Sequence, residues 1–139
     1  MSTQRKVVSN YIFMSAELAT LPKAENAERT AAMRKALKGA APAVRDVEGC
    51  YAGTTESSFW VTVSTPAETA ACIALARQYG QESILFVHPE TYAATLSYVH
   101  TDGSLSLGTM RSIRRDVAES KYSDAYTLIP GTDWALICE

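Results

Sequence analysis

Between Val7 and Val87 the apolar residues switch between a period of two and a period of 3.6, in the order strand, helix, strand, strand, helix, strand. No other feature of the sequence restricts the fold as much, because two strand–helix–strand units in tandem fit few sheet topologies. Val7 to Ser15 is rich in Val, Ile, Phe and Tyr and apolar on both faces, as expected of a central strand covered on both sides. Pro22 stands where a helix can begin, with Glu25 and Glu28 in its first turn. Ala27, Thr30, Met33 and Leu37 recur at helical spacing up to Gly39, a natural stop. Pro42 to Glu48 reads as a short second strand, and Gly49 to Gly53 as a turn.

From Glu56 to Ser64 the pattern alternates, placing Phe59, Val61 and Val63 on one face and Glu56, Ser58, Trp60 and Thr62 on the other. Pro66 and Glu68 open a second helix, whose stripe Cys72, Leu75, Ala76 and Tyr79 ends near Gly80. Ser83 to Val87 is a fully apolar strand. The order predicts a ferredoxin-like βαββαβ α/β sandwich, one sheet with both helices on one face. Ala93 to Val99 and Leu105 to Thr109 read as an added C-terminal hairpin turning at Thr101-Asp102-Gly103. Ile113 to Lys121 follows as a short helix, and Trp134 to Cys138 as a last strand.

At 139 residues the chain is expected to form a single domain, 1–139, around one core. Its 47% hydrophobic and 20% charged residues are those of an ordinary globular protein. A formal net charge of −2 lacks the basic excess of a nucleic-acid binder, and the basic cluster Arg111, Arg114 and Arg115 reads as a solvated helix face. No apolar run approaches the roughly 18 residues that span a bilayer. The polar stretch from Met1 to Lys6 does not lead into a signal peptide, so a cytoplasmic protein without a membrane partner is expected. Three widely spaced cysteines, Cys50, Cys72 and Cys138, suggest neither a disulfide framework nor a zinc knuckle. His88 and His100 suit hydrogen-bonded strand ends, and no metal-ligand motif accompanies them.

With both helices on one side, the other sheet face carries Glu56, Ser58 and Trp60. Such a face calls for a partner: a neighbouring subunit would create a shared site there, and an added strand of the same chain would cover Trp60 instead.

Phe13-Met14-Ser15-Ala16, Gly49-Cys50-Tyr51, Thr55-Glu56 before one strand, Gln81-Glu82 before another and the hairpin Tyr92 to Gly103 occur in an order that resembles bacteriophage S-adenosylmethionine-degrading enzymes. The resemblance runs, with gaps, over roughly residues 8–110. It implies a homotrimer of α/β sandwiches with active sites at subunit interfaces. It also implies a lyase that splits S-adenosylmethionine to methylthioadenosine and homoserine lactone, used in phage counter-defence against restriction and modification.

That chemistry needs no metal, cofactor or covalent enzyme intermediate, because the substrate carries its own nucleophile, a carboxylate, and its own leaving group, a neutral thioether. The enzyme's work is to hold the methionyl chain in near-attack geometry in a dry pocket. Glu56 is the expected catalytic residue, gripping the substrate ammonium or, in a hydrolase giving homoserine, serving as general base for water. Tyr51 offers a ring and hydroxyl to the adenosine or the sulfonium. Ser15, Ser58, Gln81 and Glu82 are expected to bind the ribose or the amino-acid end, against ordinary capping roles for the same residues. Two non-enzymatic readings compete: a trimeric nucleotide-binding sensor, and a phage factor that inhibits a host protein.

Overall fold

The computed structural model describes residues 10–139. Its elements are β1 (Asn10–Ser15), α1 (Lys23–Ala40), β2 (Ala43–Tyr51), β3 (Thr54–Val63), α2 (Pro66–Gln78), β4 (Ser83–Val87), β5 (Ala93–Tyr98), β6 (Ser104–Arg114), α3 (Arg115–Lys121), β7 (Ala125–Leu128) and β8 (Trp134–Cys138). The part of the first strand expected at residues 7–9 lies outside the described residues.

Local sequence accounts for the helices. Met33 and Leu37 are buried in α1 one turn apart, in line with Asn26 and Thr30, the spacing that puts side chains on one helix face. At the start of α2 the Thr65 hydroxyl accepts the Glu68 N–H at 3.2 Å, and the Glu68 carboxylate accepts the Thr65 N–H at 3.2 Å, a capping box followed by Pro66.

The ferredoxin-like sandwich expected from the element order is overturned. Among the described residues the strands form one closed antiparallel barrel in the order β1-β3-β2-β7-β8-β6-β5-β4, with three helices outside it. An open four-stranded sheet would leave β4 and β2 as edges. Here β4 pairs with β5, matching Leu85 to Leu96, and β2 pairs with β7, matching Gly49 to Thr127. Closure leaves no edge with unpaired N–H and C=O groups. The expected uncovered face is therefore a barrel interior, and strands of the same chain cover it.

Several boundaries move with the closure. Gly49, Cys50 and Tyr51 continue β2, and the turn is made by Ala52 and Gly53, at φ of 48° and 84°. β6 runs on to Arg114, through residues assigned from sequence to a helix, and only then does α3 begin. β7, four residues reading Ala-Tyr-Thr-Leu, was not expected at all.

Alternation along the strands divides the apolar residues. Ile12, Met14, Phe59, Val61, Val63 and Ile84 face outward beneath α1 and α2, against Met33, Leu37, Cys72 and Ala76. A second outer cluster, Cys50, Leu128, Ala135 and Ile137, lies beneath Ala118 of α3. Phe13, Val47, Val87, Ala94, Met110, Ile129 and Leu136 point into the barrel. Among the described residues no helix is long and apolar enough to cross a membrane.

Candidate functional site

One end of the barrel is filled. Trp60 stacks on Phe13, centroids 5.3 Å apart, and meets Tyr11 edge-on at 5.4 Å. At the other end the interior opens into a cavity of about 720 Å³, within the range of small-molecule sites. Its deeper wall is apolar, from Phe13, Val47, Leu85, Leu96, Met110 and Leu136. Ser15, Tyr51, Glu56, Ser58, Gln81 and Glu82, the six residues singled out from sequence, all line it.

Strand pairing explains how they meet. Ser15 at the end of β1 lies opposite Ser58 of β3, and Glu56 of β3 lies opposite Gly49 of β2. Residues directly opposite across an antiparallel pair share a face, so this group continues the inward-facing row of Phe13 and Trp60. Gly49 has a specific consequence. A Cβ there would lie 2.9 Å from Cε2 of Tyr51 and 3.3 Å from Oγ of Ser58. The missing side chain lets the Tyr51 ring fold back over the strand toward Glu56, while 49% of Tyr51 stays exposed at the mouth.

The rim is tied by hydrogen bonds. Ser15 Oγ donates to Ser57 O at 2.8 Å and accepts the Glu17 N–H at 3.1 Å, so this hydroxyl shapes the rim. Gln81 Nε2 donates to Glu17 O at 3.0 Å. Arg29 donates to Ala16 O at 2.8 Å and also to Tyr79 O, joining the β1–α1 and α2–β4 loops. Asn26 accepts the Leu18 N–H at 2.9 Å and donates to Leu18 O at 3.0 Å. Its buried amide thus serves loop structure.

Three carboxylates, Glu17, Glu56 and Glu82, line the cavity, and none of its described lining residues is Lys, Arg or His. Nor does any of the three form an ion pair among the described residues, where the salt bridges join other groups on the surface. Burial, and after it the charge of Glu17, pushes the Glu56 carboxyl above its ordinary value. Burial and then Glu56 push the Tyr51 hydroxyl up as well. Burial raises the thiol of Cys138, another residue of the cavity wall.

Glu17 and Cys138 were not picked out from sequence. Glu17 follows a strand end in a loop without periodicity, and the bond from the Ser57 N–H to its carboxylate brings it beside Glu56. Cys138 reaches the cavity through the barrel closure. The histidines stand apart from it: His88 Nδ1 accepts the N–H groups of Glu90 and Thr91 at 3.1 and 3.2 Å in a turn. Arg115 pairs with Glu119 at 2.7 Å and Arg114 with Asp116 at 3.4 Å, on the exposed surface.

An acidic mouth over an apolar chamber suits a ligand with a cationic end and an apolar or aromatic end. The sequence model of the S-Adenosylmethionine lyase family matches residues 12–137 of the chain. No curated protein matches it.

Proposed function

The chain belongs to the S-adenosylmethionine lyase family and has S-adenosylmethionine lyase activity, and from that premise we propose how the cavity carries out the reaction and what it releases. The observation that carries the proposal is the charge of the lining: three glutamates and, among the described residues, no cationic side chain. S-adenosylmethionine brings a sulfonium and an ammonium to such a site, both attracted by the glutamates. Its own carboxylate finds no cation among the described residues of the wall. The nearest positive charge left to it is the substrate's sulfonium, so the methionyl chain folds back on itself.

In that folded chain a carboxylate oxygen attacks the γ-carbon as the bond from that carbon to sulfur breaks. The bonding pair leaves on sulfur, giving methylthioadenosine as a neutral thioether and homoserine lactone. Opposite charges disappear along the way, a change that a water-poor site favours and bulk water opposes. No cofactor enters the step. Glu56 holds the substrate ammonium, and the Tyr51 ring faces the sulfonium or the adenosine, as aromatic faces attract cations. Glu82, Gln81 and Ser58 hold the ribose and the amino-acid end, with Ser15 fixing the rim between them.

The mouth, where Tyr51 is half exposed, is the side on which copies of the chain meet in the homotrimer implied by the resemblance to phage enzymes. The same resemblance supports a role in the host cytoplasm, where loss of the methyl donor deprives restriction and modification enzymes that use it.

The test is to incubate the purified protein with S-adenosylmethionine and identify products by mass spectrometry at early times. Methylthioadenosine with homoserine lactone is expected; homoserine alone from the first time point would overturn the intramolecular route.

A further inference from the structure

The reaction needs one carboxylate for the ammonium, yet the cavity mouth holds a second beside it. Glu17 is half-buried, and its Oε2 accepts the N–H of Ser57, the residue between Glu56 and Ser58. The Glu17 backbone is held from two further sides, by Ser15 Oγ on its N–H and by Gln81 Nε2 on its carbonyl oxygen. The charge is thus fixed in place against Glu56. Two partly desolvated carboxylates side by side repel each other, and no described cationic side chain pairs with either. A cation arriving with the ligand relieves that repulsion.

Resting on the lyase reading above, we propose that Glu17 is a specificity-determining residue, whose charge makes the cavity select ligands with a positive centre at the sulfur position over the neutral thioether S-adenosylhomocysteine. The ammonium is common to both ligands, so the carboxylate that holds it cannot discriminate between them. A second fixed negative charge can. A fixed charge in a partly desolvated site interacts with a nearby cation more strongly than it would in water, enough for about a tenfold preference. A cell that uses S-adenosylmethionine for methyl transfer generates the thioether as by-product, and a site blind to the sulfur charge would be inhibited by it.

Glu17→Gln removes the charge and keeps an oxygen able to accept the Ser57 N–H. The experiment compares the dissociation constants of two ligands by titration calorimetry on the wild-type protein and this variant. One ligand is S-adenosylhomocysteine. The other is sinefungin, which carries an amine near the sulfur position, and neither has a sulfonium to expel. Glu17→Gln is expected to weaken sinefungin about tenfold and leave S-adenosylhomocysteine within about twofold, while Glu17→Asp, which keeps the charge, recovers most of the preference. Equal weakening of both ligands, or of neither, would overturn the assignment. The outcome does not depend on turnover. A lost preference with no lactone formed by the wild type would remove the proposed reaction and leave Glu17 as the selector, and lactone formation with an unchanged preference would do the reverse.

Discussion

The two faces of β3 lie back to back and do different work. Phe59, Val61 and Val63 are buried beneath α1 and α2, packed against Met33, Leu37, Cys72 and Ala76. On the opposite face Glu56 and Ser58 line the cavity, and Trp60 packs at its filled end. An apolar face gains stability from every buried atom, whereas a half-desolvated carboxylate costs stability and is compensated only when a cation binds. One strand therefore carries the core and the site at once, and substitutions on the two faces should separate stability from activity.

Phe59→Ala should have the largest effect, a loss of about 3–5 kcal/mol in unfolding free energy. Urea denaturation checks it, and activity per folded molecule should stay near the wild-type value. Glu56→Gln should reverse that pattern. Losing a charged hydrogen bond to the ammonium is expected to lower kcat/KM by about a hundredfold. Its melting temperature at neutral pH should hold or rise, since a carboxyl raised by burial and by Glu17 disfavours the folded state once it ionises. A fall in melting temperature as large as that of Phe59→Ala would erase the distinction between the faces.

Gly49→Ala perturbs the cavity face from the neighbouring strand. The new methyl would meet the Tyr51 ring at 2.9 Å and push it out of the mouth. We expect about a tenfold loss of kcat/KM that does not add to the loss in Tyr51→Ala, read from a double-mutant cycle. The pH profile gives a smaller effect. Glu56 must be ionised to hold an ammonium, so kcat/KM should rise with pH through a midpoint above the ordinary carboxylate range. In Glu17→Gln that midpoint should move to lower pH, because one cause of the upward shift is gone. Glu82, Tyr51, Tyr126 and Cys138 also line the cavity, and all remain in that variant. Arg115→Ala should change unfolding free energy least, to an extent that urea denaturation barely resolves, since its pair with Glu119 is exposed.

Much of the outer face was legible in the sequence because it rests on local rules. Period-two alternation placed Phe59, Val61 and Val63 together, the helical spacing of Met33 and Leu37 marked the face that covers them, and Pro66 with Glu68 marked a helix start. Closure was not legible. It depends on β7, too short to show a period, and on pairings such as Arg111 with Ile137 that join distant parts of the chain. The sandwich was expected because each local unit fits it, and nothing local says that Gly49 of an edge strand will pair with Thr127 near the other end of the chain. The candidate site shows the same division. Glu56 and Tyr51 stand in recognisable stretches, while Glu17 and Cys138 enter only when loops and strands meet in space.

In the proposed reaction the substrate's own carboxylate, and not water, attacks the γ-carbon. Turnover in ¹⁸O-water tests it most directly, with the isotope located in the product by mass spectrometry. Unlabelled homoserine lactone is expected, and any homoserine formed later by opening of that lactone should carry ¹⁸O in its carboxylate. Homoserine with ¹⁸O in its side-chain hydroxyl would mean that water attacked the γ-carbon, and would rule out the intramolecular route.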